Sequence, residues 1–293
     1  MRVPLLAVRQ VVLILLLVLL FVLLFVLAGA AARVMPASAD PAPTASFAVS
    51  GELTGVAAVS ASNAWAVGGT GSGGTLIAHW DGTAWKRVPS PSPAGSTLFR
   101  VAATSARNAW AVGCSGCRGP GVPEPLILRW NGTAWKQVPS PSPGVSRGLG
   151  ADLGTVAVAV TAAGHAWAAG EISCGCGPGF SLTEWWNGTV WKQVPSPSPG
   201  GGTNLATVAV VSDHAAWAVG ESGSGDGPTK TVALRWNGTA WKQVSTPSPG
   251  ASASLDAIAV TSSGNAWAVG ATSTVNHGRA TTLILHWNGT AWK

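Results

Sequence analysis

The sequence predicts an all-β fold, a β-propeller of five four-stranded blades of about 50 residues each. The first observation behind this prediction is a repeat. Five times the chain spells A-W-A-V-G or a close variant, then a variable loop, then W-N-G-T-A-W-K or a close variant. The second observation is that fifteen of the 16 Trp residues occupy three fixed positions in the repeat. A long, strand-like period punctuated by Gly and Pro is typical of a propeller blade.

The three positions are called the first, second and third Trp. The first is Trp65, Trp110, Trp167, Trp217 or Trp267, the second is Trp80, Trp130, Trp186, Trp236 or Trp287, and the third is Trp85, Trp135, Trp191, Trp241 or Trp292. We predict blades at about 51–95, 96–145, 146–200, 201–250 and 251–293. In the first blade, strands A, B, C and D are predicted at 53–59, 64–68, 75–80 and 83–88.

The N-terminal segment predicts where the protein works. Arg2 and Arg9 precede an apolar run at 11–32, and this charge bias favours export with the N-terminus left inside. Residues 1–33 are predicted to be a helix, either a cleaved signal peptide or a retained membrane anchor. Residues 34–50 have the Ala/Pro/Ser composition of a linker. The repeat domain at 51–293 is therefore expected outside the cytoplasm, secreted or anchored to the membrane.

Strand B predicts how the blades pack on each other. Its alternation places Trp65 and Val67 on one face and the small residues Ala64, Ala66 and Gly68 on the other. The indole of one blade can then lie on the Ala/Gly face of the next, which a blade by itself could not provide. We predict that the first Trp belongs to the core in every repeat.

The connections between strands also have readable chemistry. Asn-Gly between strands C and D is the strongest short hairpin signal, since both residues accept positive φ. Four of the five pairs are also N-G-T glycosylation sequons, but Asp81-Gly82 is not, so the hairpin explains the set better. The V-P-S-P-S-P tails after strand D cannot extend a paired strand and are predicted to be extended connections.

Variation among the repeats predicts a ligand-binding end. In a propeller the B–C loops and the D–A connections lie at one end, and these repeats differ mainly in the B–C loops. Glu171 and Glu221 hold equivalent positions in two of those loops, and Arg118 lies in another, so all three are predicted to contact a ligand. The two Glu residues are also weak candidates for a glycoside-hydrolysing carboxylate pair.

Trp185 is the one Trp outside the three fixed positions. It stands where the other repeats have a polar residue, namely His79, Arg129, Arg235 or His286. We predict that this position faces outward on the rim, and Trp185 is therefore the Trp nominated for ligand binding.

All four cysteines, Cys114, Cys117, Cys174 and Cys176, lie in the B–C loops of adjacent blades. Export favours disulfides, and we predict bridges between the two loops, because closing C-x-C within one loop would be strained. A four-thiolate zinc site and free thiols are the alternatives. No cofactor is predicted, and His79 and His286 share a register without a third metal ligand.

The net charge of +6 does not predict nucleic-acid binding. Five of the 17 basic residues follow the third Trp, where a Lys blocks pairing at the outer edge of a blade. They are Lys86, Lys136, Lys192, Lys242 and Lys293. Three others, Arg2, Arg9 and Arg33, belong to the N-terminal segment, and the remainder form no phosphate-binding stripe.

The segments N-A-W-A-V-G, T-L-I-L-H-W-N-G-T-A-W-K and Q-V-P-S-P-S-P-G resemble a repeat of uncharacterised exported bacterial propeller-like proteins. The resemblance covers 53–293 and implies the propeller fold without an activity. The hairpin W-N-G-T-x-W is more loosely similar to that of Asp-box and kelch-type propellers, but the chain lacks the Ser-x-Asp part.

Three functions follow as hypotheses. The first is a non-enzymatic binding or adhesion module for a carbohydrate or a protein ligand at the loop end. The second is an extracytoplasmic glycoside-acting enzyme, and the third is a structural cell-surface protein. The fifth repeat stops at Lys293 before its Val-Pro tail, so a strand that closes the ring would have to come from 47–49, unless the chain is a fragment.

Overall fold

The computed structural model describes residues 49–118, 123–141, 157–161, 164–172, 179–223, 227–274 and 279–293. The predicted N-terminal helix and most of the linker therefore lie outside the described residues, as does Phe47. Val49 lies before the first strand and is not part of a sheet. Within the described ranges, no helix is long and apolar enough to cross a membrane.

Five antiparallel sheets follow one another along the chain, one for each repeat, as predicted. Neighbouring strands in the sequence are also neighbours in each sheet, which is the up-and-down order of a propeller blade. The strands of the first two blades are β1 Gly51–Ser60, β2 Asn63–Thr70, β3 Thr75–Trp80, β4 Trp85–Arg87, β5 Thr97–Ser105, β6 Asn108–Ser115, β7 Glu124–Trp130 and β8 Trp135–Gln137.

The remaining three blades repeat this order. Their strands are β9 Ala157–Val160, β10 Ala166–Ile172, β11 Phe180–Trp186, β12 Trp191–Gln193, β13 Thr203–Ser212, β14 Ala215–Ser222, β15 Lys230–Trp236, β16 Trp241–Val244, β17 Ser252–Ser262, β18 Asn265–Ser273 and β19 Ala280–Trp287. In the fifth blade the fourth strand is reduced to one bridge between Trp287 and Trp292. A 3-10 helix, Pro199–Gly201, precedes the fourth blade.

The C–D hairpin forms as predicted, but with a longer turn. Trp80 pairs with Trp85, so four residues form the loop, and strand D begins later than expected. The Asp81 carboxylate accepts hydrogen bonds from the Thr83 backbone N–H, the Thr83 hydroxyl and the Ala84 N–H. Gly82 supplies the positive φ of 96°. Since the turn needs one side-chain oxygen and the Thr hydroxyl, it explains why Asp can replace Asn and why Thr recurs.

Asp81 also differs from the Asn of the other blades by its charge. A hydrogen bond from Lys86 at 2.5 Å, together with those from Thr83 and Ala84, holds the pKa of this carboxyl well below its usual range. The other outer-strand lysines are exposed, as expected of residues that protect a sheet edge.

Among the described residues, the core consists of four apolar clusters, each formed between two successive blades. In the first cluster, Trp65 and Val67 of one blade pack on Ala109 and Ala111 of the next, as strand B predicted. The indole of Trp65 lies 4.9 Å from that of Trp130 and 5.1 Å from that of Trp135, between ring centroids. The same pair of contacts recurs at the next three junctions, with distances of 4.9 to 5.2 Å.

The prediction that the first Trp is core in every repeat is wrong for the fifth blade. Trp65, Trp110, Trp167 and Trp217 are at most 1 % exposed, whereas Trp267 is 48 % exposed. The sequence of strand B is nearly the same in all five blades, so the cause is tertiary. The next blade along the chain covers each of the other four, whereas among the described residues no blade packs on Trp267 in this way.

The Ser/Pro tails are extended, as predicted, but they also bind the blade that they leave. Ser92 Oγ accepts a hydrogen bond from the Thr75 backbone N–H, and the hydroxyls of Thr75 and Ser90 lie 3.0 Å apart. Ser181 and Thr231 form the same contacts with their own tails. These hydroxyls fix each tail against the first residue of strand C.

Candidate functional site

The two ends of the blades differ as the sequence predicted. At one end the B–C loops contact the connections between blades, since Ser96 N–H donates to Gly73 O and Gly116 N–H donates to Ala94 O. At the other end the A–B turns meet the C–D hairpins, and the indole N–H of Trp80 donates to Ala61 O at 2.9 Å. The first end is called the loop end and the second the turn end.

A groove of ≈ 640 Å³ opens at the loop end of the first blade. Its volume lies within the range of small-molecule sites, about 300 to 1,000 Å³. Hydroxyl groups dominate the lining, and one side chain carries a charge. The lining residues are Val49, Ser50, Thr70, Ser72, Gly74, Thr75, Arg87, Val88, Pro89, Ser90 and Ser92.

The groove is built from the elements that hold the tail. Thr70 Oγ1 accepts a hydrogen bond from Gly74 N–H at 2.9 Å and lies 3.1 Å from Ser72 Oγ, which shapes the B–C loop. Ser90 and Ser92 are held by Thr75 on the opposite wall. The hydroxyl wall is therefore set by internal hydrogen bonds before any ligand arrives.

Arg87 is the charged residue of the groove, and it is not among the residues predicted from the sequence to bind a ligand. It lies exposed on β4, where the other blades have Gln137, Gln193 and Gln243. The replacement of the usual Gln by Arg at this position of the repeat is the feature of the sequence that could have indicated a site here. A guanidinium beside several hydroxyls can bind a carboxylate or sulfate group through charge-assisted hydrogen bonds.

Arg118, a predicted ligand contact, lies at the loop end but is engaged within the protein. Its guanidinium forms an ion pair with Glu52 on β1, and its backbone N–H donates to Gly95 O. Both side chains of the pair are partly exposed, 38 % and 60 %. Arg118 therefore ties the B–C loop of the second blade to the first blade.

The predicted disulfide between two loops is wrong for the cysteines that can be described. Cys114 is bonded to Cys117 within one B–C loop, with their Cα atoms 6.0 Å apart. Gly116, with a φ of 75°, lets the C-x-x-C segment turn back on itself, which the prediction did not consider. Cys174 and Cys176 lie outside the described residues.

Glu171 and Glu221 hold equivalent positions, as predicted, but they lie within strands β10 and β14, near the loop ends, and not in the B–C loops themselves. Both are half-buried. Glu171 pairs across its sheet with Ser181, and Glu221 with Thr231. By strand alternation, Glu171 shares the face of Trp167, and Glu221 shares the face of Trp217.

Trp185 is not on an outward rim, which corrects its predicted placement. It is half-buried near the turn end, 4.8 Å from Trp167 and 5.1 Å from His165 between ring centroids. The equivalent residues stack on the first Trp in the same way, His79 at 4.3 Å and Arg129 at 5.2 Å. Partial burial lowers the pKa of His79. The residue that precedes the second Trp therefore packs against the first Trp of its own blade.

Beside Trp185, His165 and Asp213 connect two blades at the turn end. His165 Nδ1 lies 2.8 Å from Asp213 Oδ2, and both side chains are about one-third exposed, 31 % and 30 %. The backbone O of Asp213 also accepts a hydrogen bond from the Trp236 indole. The sequence does not predict this pair, because the two residues lie in different A–B turns, 48 positions apart.

A buried carboxyl lies between the second and third blades. Glu184 is fully buried on β11, on the face shared with Leu182 and Trp186, and Ser140 Oγ lies 2.9 and 2.7 Å from its two oxygens. Burial raises the pKa of Glu184 to about 7, while the Ser140 hydrogen bond opposes the shift. The equivalent residues elsewhere are Ala78, Leu128, Leu234 and Leu285.

The partner of Glu184 depends on a second departure from the repeat. In the second blade, Pro125 stands where the first blade has Thr75. Pro has no hydroxyl, so the tail hydroxyl of Ser140 cannot make the contact that Ser90 makes with Thr75. It reaches forward to Glu184 of the next blade. Pro125 thus leaves Ser140 without its usual partner, and Glu184 provides another. The resulting hydrogen bond links the second and third blades.

Among the described residues, no group of three or more His, Cys, Asp or Glu side chains is arranged to hold a metal ion. The candidate site with the most complete geometry is the hydroxyl- and Arg-lined groove at the loop end of the first blade.

Comparison with known proteins finds no protein-family model and no curated protein that matches the chain. Solved structures do match. The fucose-specific lectin from Aleuria aurantia superposes with a TM-score of 0.54 at 14 % identity, over 83 % of this chain and 77 % of the lectin chain. The same lectin, as a mutant in complex with a fucose–GlcNAc disaccharide, gives 0.51 at 12 %, with the same coverage.

An ulvan lyase, a polysaccharide lyase bound to a GlcA–Rha saccharide, gives a TM-score of 0.54 at 11 % identity, over 83 % of this chain and 68 % of the lyase chain. At these identities the likeness shows the fold alone. The propeller fold predicted from the repeat is confirmed, whereas the resemblance to a particular repeat family stays a prediction.

Proposed function

We propose that this chain is an extracytoplasmic, non-enzymatic binding module whose ligand is a glycan held in the groove at the loop end of the first blade. The observation that supports it best is the groove itself. A wall of preset hydroxyls offers donors and acceptors that match sugar hydroxyls, and Arg87 adds a cation at one side. The ligand that fits is an oligosaccharide with a carboxylate or sulfate group.

Other features support the location. The charge bias around the apolar N-terminal run favours export, and the Cys114–Cys117 disulfide suits an oxidising compartment. Membrane attachment would come from residues 1–33 if they are retained. The structural likeness to a lectin and a lyase is compatible with a glycan ligand but carries no argument for one.

The test is an array of neutral and acidic oligosaccharides, probed with the full-length protein in a mild detergent. We expect hits among acidic glycans. Arg87→Gln, which gives the first blade the residue of the other blades, should weaken those hits about tenfold, the loss expected for one charge-assisted hydrogen bond. The matched control is Arg107→Gln, which removes an exposed cation at the turn end and should leave binding unchanged.

Two binding results would contradict the proposal. One is an array without hits. The other is a set of hits that Arg87→Gln leaves unchanged and that Trp185→His removes, because binding would then take place at the turn end. Each bound glycan should also be recovered intact after incubation. Cleavage that Glu171→Gln abolishes would show an enzyme instead.

A further inference from the structure

The fifth of the described blades has an exposed apolar face. Trp267 is 48 % exposed, and Val269 and Ile284 beside it are 43 % and 62 % exposed. In the first blade the equivalent residues, Trp65, Val67 and Ile77, are 1 %, 0 % and 0 % exposed, because the second blade covers them. The fifth blade therefore carries an uncovered copy of a surface that is otherwise an interface.

The first of the described blades has an apolar groove. The groove has a volume of ≈ 490 Å³, and Leu53 and Val56 at its side are 51 % and 69 % exposed. It is lined by Leu53, Thr54, Gly55, Val56, Ala66, Ala78 and Trp85.

This groove lies where each later blade receives a Trp. Five of its lining residues are equivalent in the repeat to Leu98, Val101, Ala111, Leu128 and Trp135 of the second blade. Those five residues pack around Trp65 in one cluster, with Trp135 edge-on to the Trp65 indole. The groove on the first blade is thus the counterpart of the seat that Trp65 fills on the second.

We propose that Trp267 of one copy of this chain inserts into the groove of the first blade of a second copy, so that the two chains join head to tail. The fold repeats this interface at four junctions with nearly constant ring distances, and each end displays one of its halves. A second copy of the chain would supply the missing half at each of these two surfaces.

The contact joins two different surfaces, so its symmetry is heterologous. Two chains would form a closed ring if the rotation between them permits, and a longer row otherwise. Aromatic anchors that fill a pocket at the centre of an interface dominate its affinity, and Trp267 is such an anchor.

The experiment uses the full-length protein in mild detergent, with mass measured by light scattering over a range of concentrations. Trp267→Arg removes the anchor and Val56→Arg places a charge at the groove, both at exposed positions. Each should weaken association at least about 30-fold. Val190→Arg, at a position 47 % exposed on a turn of the third blade, is the control and should associate like the wild type. Residues 1–48 are the same in all variants, so association through them would persist throughout.

Mixing gives the sharper readout. Trp267→Arg retains an intact groove and Val56→Arg retains an intact Trp267, so neither should associate alone, but the two together should form a one-to-one dimer. That result would establish the head-to-tail contact. A wild type that stays monomeric at all concentrations would overturn the proposal, as would association that survives Trp267→Arg, or a mixture without dimers. Circular dichroism checks that each variant keeps its sheets.

Discussion

Trp217 and Trp267 occupy the same position in successive blades, within the strands A-A-W-A-V-G and N-A-W-A-V-G. Trp217 is 1 % exposed and packs between Trp287 and Trp292, whereas Trp267 is 48 % exposed and stacks only on His286 of its own blade among the described rings. The local sequence makes the same strand in both cases. The burial of the first Trp therefore depends on the blade that follows, not on the strand that carries it.

The largest change in stability is expected when Trp217 and Trp267 are each replaced by Ala. Trp217→Ala should lower the free energy of unfolding by about 3 to 5 kcal/mol, because it leaves a cavity between two blades. Trp267→Ala should cost less than about 1 kcal/mol at low protein concentration, since its site is exposed. Urea unfolding followed by circular dichroism measures both. Equal losses would mean that the fifth blade is covered in solution.

The second prediction concerns the junction between the second and third blades, where the buried Glu184 should make stability depend on pH. Glu184 has a folded pKa of about 7, above its usual value near 4.5, so the folded state holds the proton more tightly than the unfolded state. This contribution to stability is complete below pH 4.5 and is lost as the pH rises through 7, in all about 3 kcal/mol. Unfolding measured between pH 4 and pH 8 should show the decline.

A matched variant makes the same prediction sharper. Glu184→Leu gives the third blade the residue of the second, fourth and fifth blades at this position. It should remove the decline and stabilise the protein by about 3 kcal/mol at pH 8, but much less at pH 5. A decline that survives the substitution would assign the pH dependence to another group.

A smaller loss of stability is expected from Trp185, which packs at the junction between the third and fourth blades. Trp185→Ala should lower the free energy of unfolding by about 1 to 2 kcal/mol, because the half-buried ring contacts Trp167 and His165. Trp185→His, the residue of the first and fifth blades, should recover part of that loss. No measurable loss in either variant would place the ring at the outward position that the sequence first indicated.

The smallest effect should be equal in covered and exposed blades. Asn237 and Asn288 each accept three hydrogen bonds within their own turns, at 2.9 to 3.0 Å and 2.8 to 3.0 Å. Asn237→Ala and Asn288→Ala should therefore each cost about 1 kcal/mol. Unequal costs would show that the turns, like the Trp residues, depend on the neighbouring blade.

The sequence predicted the number of blades, the order of their strands and the side of strand B that carries the core. These are local properties, because strand alternation and the turn residues act over a few positions. The candidate groove was not predicted. Its walls come from the B–C loop and the tail of the first blade, and only Arg87, which departs from the repeat, could have pointed to it.

The errors have a common physical origin. Trp185 was assigned to the rim because its equivalents are polar, yet His79 and Arg129 also stack on the first Trp, so a polar residue there does not mean a solvated one. Cys114 was paired with another loop because the turn at Gly116 was not considered. The placement of Trp185 and the partner of Cys114 both depend on the path of the backbone in space, which the sequence pattern does not give.

By itself, the sequence determined that this protein is a row of five similar β-sheet blades joined through Trp residues, because the repeat recurs with its alternation and turn chemistry intact. The tertiary structure alone decided where Ser140 meets Glu184 and how the hydroxyl groove forms. Each of these depends on two segments that are distant in the chain and that meet only when blade packs on blade.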